Sequence, residues 1–264
     1  MSEVNQEVYL PELLNVVVAD SYVLATNSPE EFNKIRKTGF GASDSGILMG
    51  VNPYETRSSL IEQKCRPYVT AEELAVGDLA AVRMGNELEP LVIDHFNKQF
   101  GMQAFKPAAM YNLVKYPWLN VNFDGMMNIN GIYIPVEVKT ISFFGGKHYH
   151  KEKAIRSLLD YKPLVPPSHF PANMAAYING QAAEYGIPGY YYTQLQQQIL
   201  AVDAPYGYLT TVFVKDWSYH TFMVPRDNYC ITALIEESKI AWEEVQWKKA
   251  ITPQTAPFTF VIPD

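Results

Sequence analysis

The most regular hydrophobic pattern of the chain lies in residues 78–100. Five apolar residues recur there at every fourth position: Met84, Leu88, Val92, Phe96 and Phe100. Because side chains four apart share one face of a helix, the pattern predicts a long helix that ends at Gly101. Pro90 lies inside this pattern, and we expect it to kink the helix or to divide it in two.

A strict alternation of side chains marks residues 132–140. One face would carry Ile132, Ile134, Val136 and Val138, and the other Tyr133, Pro135, Glu137 and Lys139. In residues 119–127, Val121 and Phe123 alternate in the same way with Asn120, Asn122 and Asp124. A period of two is typical of β-strands, and the polar residues 128–131 favour a turn. The sequence therefore predicts a β-hairpin over 119–140.

Weaker signals place the other elements. Helices are predicted at 28–37, 43–49, 58–64, 147–160, 191–202 and 227–249, and strands at 206–214 and 218–224. Ser28 and Ser43 are typical residues for the caps of the first two helices. The proline-rich residues 163–190 predict an irregular insertion with room for a short helix, and residues 252–264 predict an extended tail. Since the chain shows no repeat and no low-complexity linker, we expect a single domain over 1–264.

Composition narrows the class of protein. With 48% hydrophobic residues among 264, the chain can form a large core, yet no window approaches the roughly 20 apolar residues of a membrane span. Cys65 and Cys230 are too few for a disulfide framework, a four-cysteine zinc site or an iron–sulfur cluster. The acidic start of the chain lacks the basic region of a signal peptide. We therefore expect a cytoplasmic protein without a membrane partner.

The net charge of -7 does not by itself indicate a nucleic-acid-binding protein. The distribution of charge matters more, because the basic residues concentrate in 34–37 and 147–162 while acidic residues lie elsewhere. A basic groove in an acidic body would concentrate DNA locally. Scattered, solvated charge is the alternative interpretation of the same pattern.

The candidate chemistry lies on the predicted hairpin. Glu137 and Lys139 project from one face of the second arm, and pairing of the two arms can bring Asp124 near Glu137. Two carboxylates form a hard oxygen site of the kind that Mg²⁺ or Mn²⁺ occupies, and an ammonium beside it can hold a phosphate or a water. This layout favours a metal-dependent phosphodiester nuclease. The alternative is an exposed hairpin on which a Glu and a Lys happen to be neighbours.

Four separate blocks of the sequence carry a resemblance to a known family. Arg36 to Thr56, R-K-T-G-F-G-A-S-D-S-G-I-L-M-G-V-N-P-Y-E-T, resembles the opening motif of the YqaJ-like viral recombinases, the phage alkaline exonucleases related to lambda exonuclease. Three later blocks follow in the order of that family: G-N-E-L-E-P at 85–90, the pair N-F-D-G and V-E-V-K-T, and Y-T-Q-L-Q-Q-Q at 192–198. The resemblance implies an α/β (α+β) fold with a PD-(D/E)xK restriction-endonuclease-like core, in which helices flank a central mixed sheet.

The resemblance also implies a catalytic site. Asp124, Glu137 and Glu89, with the backbone carbonyl of Val138, would hold Mg²⁺ (or Mn²⁺), and two ions are expected. Lys139 would position or activate the attacking water. Gln194 would support the substrate or the nucleophile, unless it belongs to an ordinary polar helix face. A further set is expected at the surface: Glu87, Gln196 and Gln197. Gln198 stays a candidate, because it lies one turn beyond Gln194.

Arg36 and Ser43 match the residues that grip the terminal 5′-phosphate in the family. An Arg guanidinium and a hydroxyl suit a phosphate, although Ser43 can equally be a helix cap. Asp44 is unexpected beside a phosphate, and it would either orient Arg36 or stabilise the first turn of a helix.

The function that the resemblance implies is a Mg²⁺-dependent 5′-to-3′ exonuclease, encoded by a phage or prophage and active in the bacterial cytoplasm. It would act on the ends of double-stranded DNA and leave 3′ single strands for an annealing or strand-exchange protein in recombination. A ring-shaped homotrimer around the DNA is a further expectation. Two alternatives stay open: another PD-(D/E)xK nuclease, such as a restriction-like endonuclease, and a catalytically silent protein that binds DNA ends.

Overall fold

The computed structural model describes residues 21–24, 29–66, 70, 75, 79–107, 110–142 and 145–251. Within these residues the strands are β1 (Ser21–Leu24), β2 (Met110–Leu113), β3 (Asn120–Val121), β4 (Gly125–Ile129), β5 (Ile132–Ile141), β6 (Tyr206–Phe213) and β7 (Ser218–Pro225). The α-helices are α1 (Pro29–Arg36), α2 (Ser45–Leu48), α3 (Arg57–Cys65), α4 (Ala80–Phe100), α5 (Met174–Tyr185), α6 (Gly189–Val202) and α7 (Asn228–Ile251). The tail predicted at 252–264 lies outside the described residues.

The main sheet is mixed and has the strand order β4-β5-β6-β7. The β4–β5 and β6–β7 pairs are antiparallel hairpins, whereas β5 and β6 run parallel. Asn130 and Gly131, both with positive φ, form the two-residue turn between β4 and β5. Such a turn suits the twist of a hairpin, and it lies inside the turn predicted at 128–131.

Two helices cover the two faces of β5. Val92 of α4 packs against Val138 and Val212 on one face. The other face presents Glu137 to α6, from which Gln194 and Gln198 reach the carboxylate. Because neighbouring residues of a strand point to opposite faces, both faces of β5 are covered. The predicted arrangement, a mixed sheet between helices, is therefore what the chain adopts.

The first arm of the predicted hairpin is divided between two sheets, so the prediction of one continuous arm over 119–127 was wrong. β3 pairs with β2 in a small antiparallel sheet of order β1-β2-β3, whereas β4 pairs with β5. The backbone N–H of Asn120 donates to the carbonyl of Phe40, which holds this part of the chain away from β5. Residues 122–124 connect the two sheets, and Asp124 therefore lies just before β4 rather than within a strand.

The prediction of a helix at 147–160 was also wrong. The segment forms two short 3₁₀ turns, Gly145–His148 and Lys151–Lys153, and then meets β7. The backbone N–H of His150 donates to Gly186 and that of Ile155 donates to Thr221, so these groups bond to other parts of the chain. The buried residues Tyr149 and Ile155 would not share one face of a helix.

Most of the other predicted boundaries hold within a few residues. α1, α3, α4, α7 and the β6–β7 hairpin lie where they were predicted, and α4 continues undivided through Pro90. The predicted insertion 163–190 contains more order than expected, because α5 occupies 12 of its residues. Asn173 caps the start of α5 and Gly186, with φ 81°, ends it. α6 begins at Gly189, two residues earlier than predicted.

Two further expectations concern the class of protein. Cys65 is partly buried and Cys230 is buried, and both are free thiols. No helix within the described ranges has the length and apolar character that crossing a membrane requires.

Gly46 provides a test of the packing between α2 and α6. A Cβ atom at this position would lie 2.7 Å from the Cβ and 2.9 Å from the Cα of Tyr190, so the backbone of α6 would have to move. We expect Gly46→Ala to lower the free energy of unfolding by about 1–3 kcal/mol, measured by urea denaturation. Gly180→Ala in α5 meets open space and should stabilise the protein by up to about 1 kcal/mol. Equal stability of Gly46→Ala and wild type would contradict this packing.

Candidate active site

The carboxylate of Glu137 is the centre of the site. Its side chain is 1% exposed and lies between β5 and α6. Gln194 donates to Oε1 and Gln198 donates to Oε2, while the ammonium of Lys139 also bonds to Oε1. Gln194 and Gln198 are one helical turn apart, so one face of α6 presents both amides to the strand. The structure thus brings together four residues that the sequence had suggested separately.

Asp124 lies beside this group. Its Oδ2 accepts a hydrogen bond of 3.0 Å from the backbone N–H of Val138, the residue between Glu137 and Lys139. The next residue, Gly125, packs closely on both α4 and β5, because a Cβ there would lie 2.6 Å from Cδ1 of Ile93 and 3.1 Å from the carbonyl of Val136. Glycine at this position therefore lets the chain enter β4 with the Asp124 carboxylate next to β5.

The electrostatics of the site follow from burial and from the close approach of two carboxylates. Burial, together with the charge of Asp124, raises the pKa of Glu137 to about 7, although Lys139 and Gln198 oppose this shift. Burial by itself lowers the pKa of Lys139, but Glu137 and Asp124 outweigh that effect and raise it. Two acidic groups thus share one ammonium, an arrangement that favours an additional positive charge.

Glu89 approaches the site from α4. Its side chain is 12% exposed and forms an ion pair with the more exposed Lys106. Burial and the charge of Asp124 raise the pKa of Glu89 by more than Lys106 and Lys139 lower it, so the net shift of this pKa is upward. Glu87 is exposed, as predicted. The sequence analysis did not identify Lys106. The preceding residue, Phe105, pairs through its backbone with Met126, so Lys106 lies at the edge of β4.

The chemistry of these groups fits a hard divalent cation, because carboxylate oxygens are the ligands that Mg²⁺ and Mn²⁺ prefer. Within the described residues, however, no three His, Cys, Asp or Glu side chains converge as a ready metal site. Glu137 faces amide and ammonium groups, Asp124 faces a backbone N–H and Glu89 faces Lys106. The carboxylate oxygens therefore suit a divalent cation chemically. In this structure, each of the three carboxylates is bound to a group of the protein.

The prediction that Gln196 and Gln197 lie at the surface was wrong, since both are fully buried. Gln196 donates to the carbonyl of Pro225 and accepts from the N–H of Asp227. Gln197 donates to the carbonyls of Phe40 and Asn120, each at 3.0 Å. The signal that we missed is the absence of any charged residue in the 14 residues of α6, which is typical of a helix enclosed on all sides.

The predicted phosphate site forms a second group. A guanidinium nitrogen of Arg36 lies 3.0 Å from the hydroxyl of Ser43 and 3.1 Å from a carboxylate oxygen of Asp44. Both interpretations of Asp44 hold in the structure, because one carboxylate oxygen binds Arg36 and the other accepts from the backbone N–H of Gly41 at the start of the 3₁₀ turn. The capping role of Ser43 was wrong, because Ser43 lies inside the 3₁₀ turn Ala42–Asp44 and Gly41 precedes that turn. Its hydroxyl is therefore available beside Arg36.

A buried lysine supports this second group, and sequence reasoning did not identify it. Lys64 of α3 is 2% exposed, and its ammonium lies 2.7 Å from Asp44 Oδ2 and 2.8 Å from the carbonyl of Arg36. Burial raises the pKa of Asp44, but Lys64 and Arg36 outweigh it, so the net direction is downward. Asp44 is thus a charged link between a buried cation and a partly exposed one.

The predicted basic groove that would concentrate DNA requires unpaired positive charge in the segment 147–162, but several of its lysines form ion pairs. Lys151 pairs with Asp216 at 3.0 Å, and Lys153 and Lys162 both reach Glu184. Three of the basic residues are therefore offset by acidic neighbours, in keeping with the alternative of scattered, solvated charge.

Comparison with known proteins agrees with the resemblance. The model of the YqaJ-like viral recombinase domain matches residues 31–205. The uncharacterized protein YqaJ of Bacillus subtilis (strain 168) is 27% identical over 165 residues, which are 60% of this chain and 50% of that protein. The chain thus spans about half the length of this curated relative.

Solved structures share the fold. The crystal structure of LHK-Exo, an alkaline exonuclease from Laribacter hongkongensis, has a TM-score of 0.54 at 15% identity and covers 84% of this chain and 94% of its own. LHK-Exo in complex with dAMP gives the same values. At this identity the likeness concerns the fold, and it confirms the predicted class: a restriction-endonuclease-like core with a mixed sheet and flanking helices.

The buried Asp44–Lys64 pair predicts a pH-dependent stability. The pKa of Asp44 is lowered on folding. Its contribution to the free energy of unfolding is therefore present above the pKa of the unfolded state, about 3.9, and is lost as the pH falls through the lower pKa of the folded state. Asp44→Asn leaves Lys64 unpaired, so we expect a loss of about 3–5 kcal/mol at pH 7 that shrinks below about pH 4. Urea denaturation at pH 7 and pH 3.5 measures both values. Asp94→Asn, which removes an exposed pair with Lys98, should cost less than about 1 kcal/mol.

Proposed function

Since the chain belongs to the family of YqaJ-like viral recombinase domains, we propose that it is a Mg²⁺-dependent exonuclease that digests one strand of linear double-stranded DNA from its 5′ end. The observation that carries this proposal is the buried Glu137 carboxylate, with Lys139 on the same strand and Asp124 at the intervening backbone N–H. The shared fold with an alkaline exonuclease supports it.

The residues that would hold the metal are Asp124, Glu137 and Glu89, with the carbonyl of Val138. Mn²⁺ would substitute for Mg²⁺, and the family resemblance implies two ions. When bound, such ions act as Lewis acids toward the phosphate and generate a nucleophile from water at neutral pH.

The side chains around the carboxylates have distinct tasks in this proposal. Lys139 is 23% exposed on its side chain, so its ammonium can reach a phosphate oxygen or an attacking water and offset the negative charge there. Gln194 and Gln198 hold both oxygens of Glu137 and fix the orientation of the carboxylate. A ligand that is held in this way loses little freedom on binding its target, which favours a site that is oriented in advance.

The 5′ end would bind at Arg36 and Ser43. Arg36 is 36% exposed on its side chain, and Asp44 and Ser43 direct its guanidinium while part of it still faces solvent. A terminal phosphate would accept charge-assisted hydrogen bonds from the guanidinium and a further one from the Ser43 hydroxyl. This pocket would select 5′-phosphorylated ends and would set the direction of digestion.

The rival function is a silent protein that binds DNA ends. The observation that favours it is that no three carboxylates of the described residues converge on one point. Linear, nicked and circular duplexes, each incubated with and without Mg²⁺, distinguish the possibilities. We expect cleavage of linear duplex alone, with Mg²⁺ alone, and release of label from the 5′ end before the 3′ end. Equal cleavage of circular DNA would indicate an endonuclease, and binding without cleavage would indicate the silent protein.

The biological setting stays a prediction. The 3′ single strands would pass to a single-strand annealing or strand-exchange protein in phage-type recombination, within the cytoplasm of a bacterial host. The homotrimeric ring and the single domain over 1–264 belong to the same proposal.

Removal of either hairpin carboxylate tests the catalytic assignment. We expect Asp124→Ala and Glu137→Ala to abolish Mg²⁺-dependent cleavage while binding of a DNA duplex in EDTA survives, because each change deletes a metal ligand and no DNA contact. Glu89→Gln should require more Mg²⁺ for half-maximal rate, and the exposed Glu87→Gln should match wild type. Near-normal cleavage by Asp124→Ala would place the active site elsewhere.

Arg36 should give the enzyme a preference for phosphorylated ends. A charge-assisted hydrogen bond is worth roughly 1.5–3 kcal/mol, so wild type should digest a 5′-phosphorylated duplex about 10- to 100-fold faster than a 5′-hydroxyl duplex. Arg36→Ala should lose most of that ratio by slowing on the phosphorylated substrate. The matched control is Lys37→Ala, since Lys37 bonds to the carbonyl of Gln63 and should not touch the end. An equal slowing of Arg36→Ala on both substrates would refute the phosphate pocket.

A further inference from the structure

A cavity of about 240 Å³ lies outside the residues assigned above. Three separate stretches of the chain line it, contributing Val51 and Pro53, His148 and His150, and the segment around Asn179 and Tyr190. Its volume is below the roughly 300–1,000 Å³ of pockets for drug-sized ligands, so a single flat ring system is the size of ligand that it suits.

Tyr190 lines this cavity, and Tyr54 directly follows the lining residue Pro53 in the sequence. The ring of Tyr54 is 77% exposed and meets the ring of Tyr190 edge-on, with centroids 5.9 Å apart. Tyr190 is held firmly, because its Cα and Cβ pack directly on Gly46. A fixed ring with an exposed ring beside it offers the kind of surface on which a nucleobase stacks.

Contacts between rings connect the cavity to the catalytic lysine. The centroids of Tyr190 and Tyr191 are 4.4 Å apart, and the ammonium of Lys139 lies 5.2 Å from the centroid of Tyr191. Tyr149, which stands between the two lining histidines in the sequence, also packs on Tyr191. The cavity is therefore one layer of side chains away from the group that would meet the phosphate.

The polar groups of the cavity suit a base and its phosphate. The Asn179 side chain lines the cavity and lies against Gly189, where a Cβ would be 2.3 Å from its oxygen. An amide can donate to and accept from the edge of a base. His148 and His150 both line the cavity. His150 pairs with Glu152 at 3.3 Å, which leaves His148 as the group for an anionic neighbour of the base.

We propose that this cavity binds one nucleobase of the DNA, which stacks on the exposed ring of Tyr54 beside Tyr190, one layer of side chains away from the lysine that would meet the phosphate. The inference rests on the proposed function for the identity of the ligand. The base can belong to a strand that passes the active site or to a released mononucleotide, and the two sources share the same chemistry.

The test uses the full chain in EDTA, where no cleavage occurs. The probe is a single-stranded oligonucleotide with 2-aminopurine, whose fluorescence falls when the base stacks on an aromatic ring. We expect wild type to quench the probe and Tyr54→Ala to bind it about 5- to 150-fold more weakly, because stacking of one base is lost. Tyr54→Phe keeps the ring and should retain the quenching. Trp247→Ala, which removes a comparably exposed aromatic side chain on α7, should behave as wild type.

Competition identifies the source of the base. Displacement of the probe by dAMP indicates that a free mononucleotide enters the cavity, and resistance to dAMP indicates a base of the strand. The proposal is overturned if Tyr54→Ala quenches and binds as wild type does, or if Tyr54→Phe loses as much as Tyr54→Ala. Cleavage of linear duplex by wild type in Mg²⁺ is measured separately, so a protein that stacks the base without cutting DNA would retain this site and lose the proposed activity.

Discussion

Burial of the Glu137 carboxylate is the constraint around which the rest of the structure is arranged. An ionised carboxylate away from water is stable only when hydrogen bonds and charges replace its hydration. Gln194, Gln198 and Lys139 supply these bonds, and two of the three come from α6. α6 must therefore pack tightly on the sheet, and it does so where Gly207 of β6 leaves room for Leu195.

The same helix connects the two candidate sites. Gln194 and Gln198 bind the Glu137 carboxylate, while Gln197 joins the carbonyls of Phe40 and Asn120. Phe40 lies two residues before the turn Ala42–Asp44, which carries Ser43, and Asn120 belongs to the strand that leads to Asp124. One enclosed helix thus fixes the distance between the group that would hold the 5′ end and the group that would cut. Such a fixed distance is what an enzyme that removes terminal nucleotides requires.

The sequence predicted those features that depend on local pattern. α4, the β5 strand and the β6–β7 hairpin each have a clear period, and Asp124 lies beside Glu137, as the predicted pairing of the two arms suggested. The failures have a common cause, because each depends on contacts between distant parts of the chain. The segment 147–160 bonds to Gly186 and Thr221, the 119–127 arm divides because Asn120 bonds to Phe40, and Gln196 is buried by its bonds to Pro225 and Asp227. The periodicity of neighbouring residues does not indicate hydrogen-bond partners in distant parts of the chain.

The lysine partners of the carboxylates suggest how the site balances stability and function. Glu137 shares Lys139 with Asp124, and Glu89 has Lys106, so the acidic groups are partly neutralised by the protein itself. The two lysines differ in their surroundings: Lys106 is 57% exposed on its side chain, whereas Lys139 is 23% exposed and lies near the ring of Tyr191. The exposed ammonium of Lys106 can move into water at little cost to itself, but the 12% exposed Glu89 carboxylate then needs another cation, because a buried charge without a partner is destabilising. A divalent cation would supply that charge at Glu89, while Lys139 stays beside Glu137, where its charge would act on the phosphate.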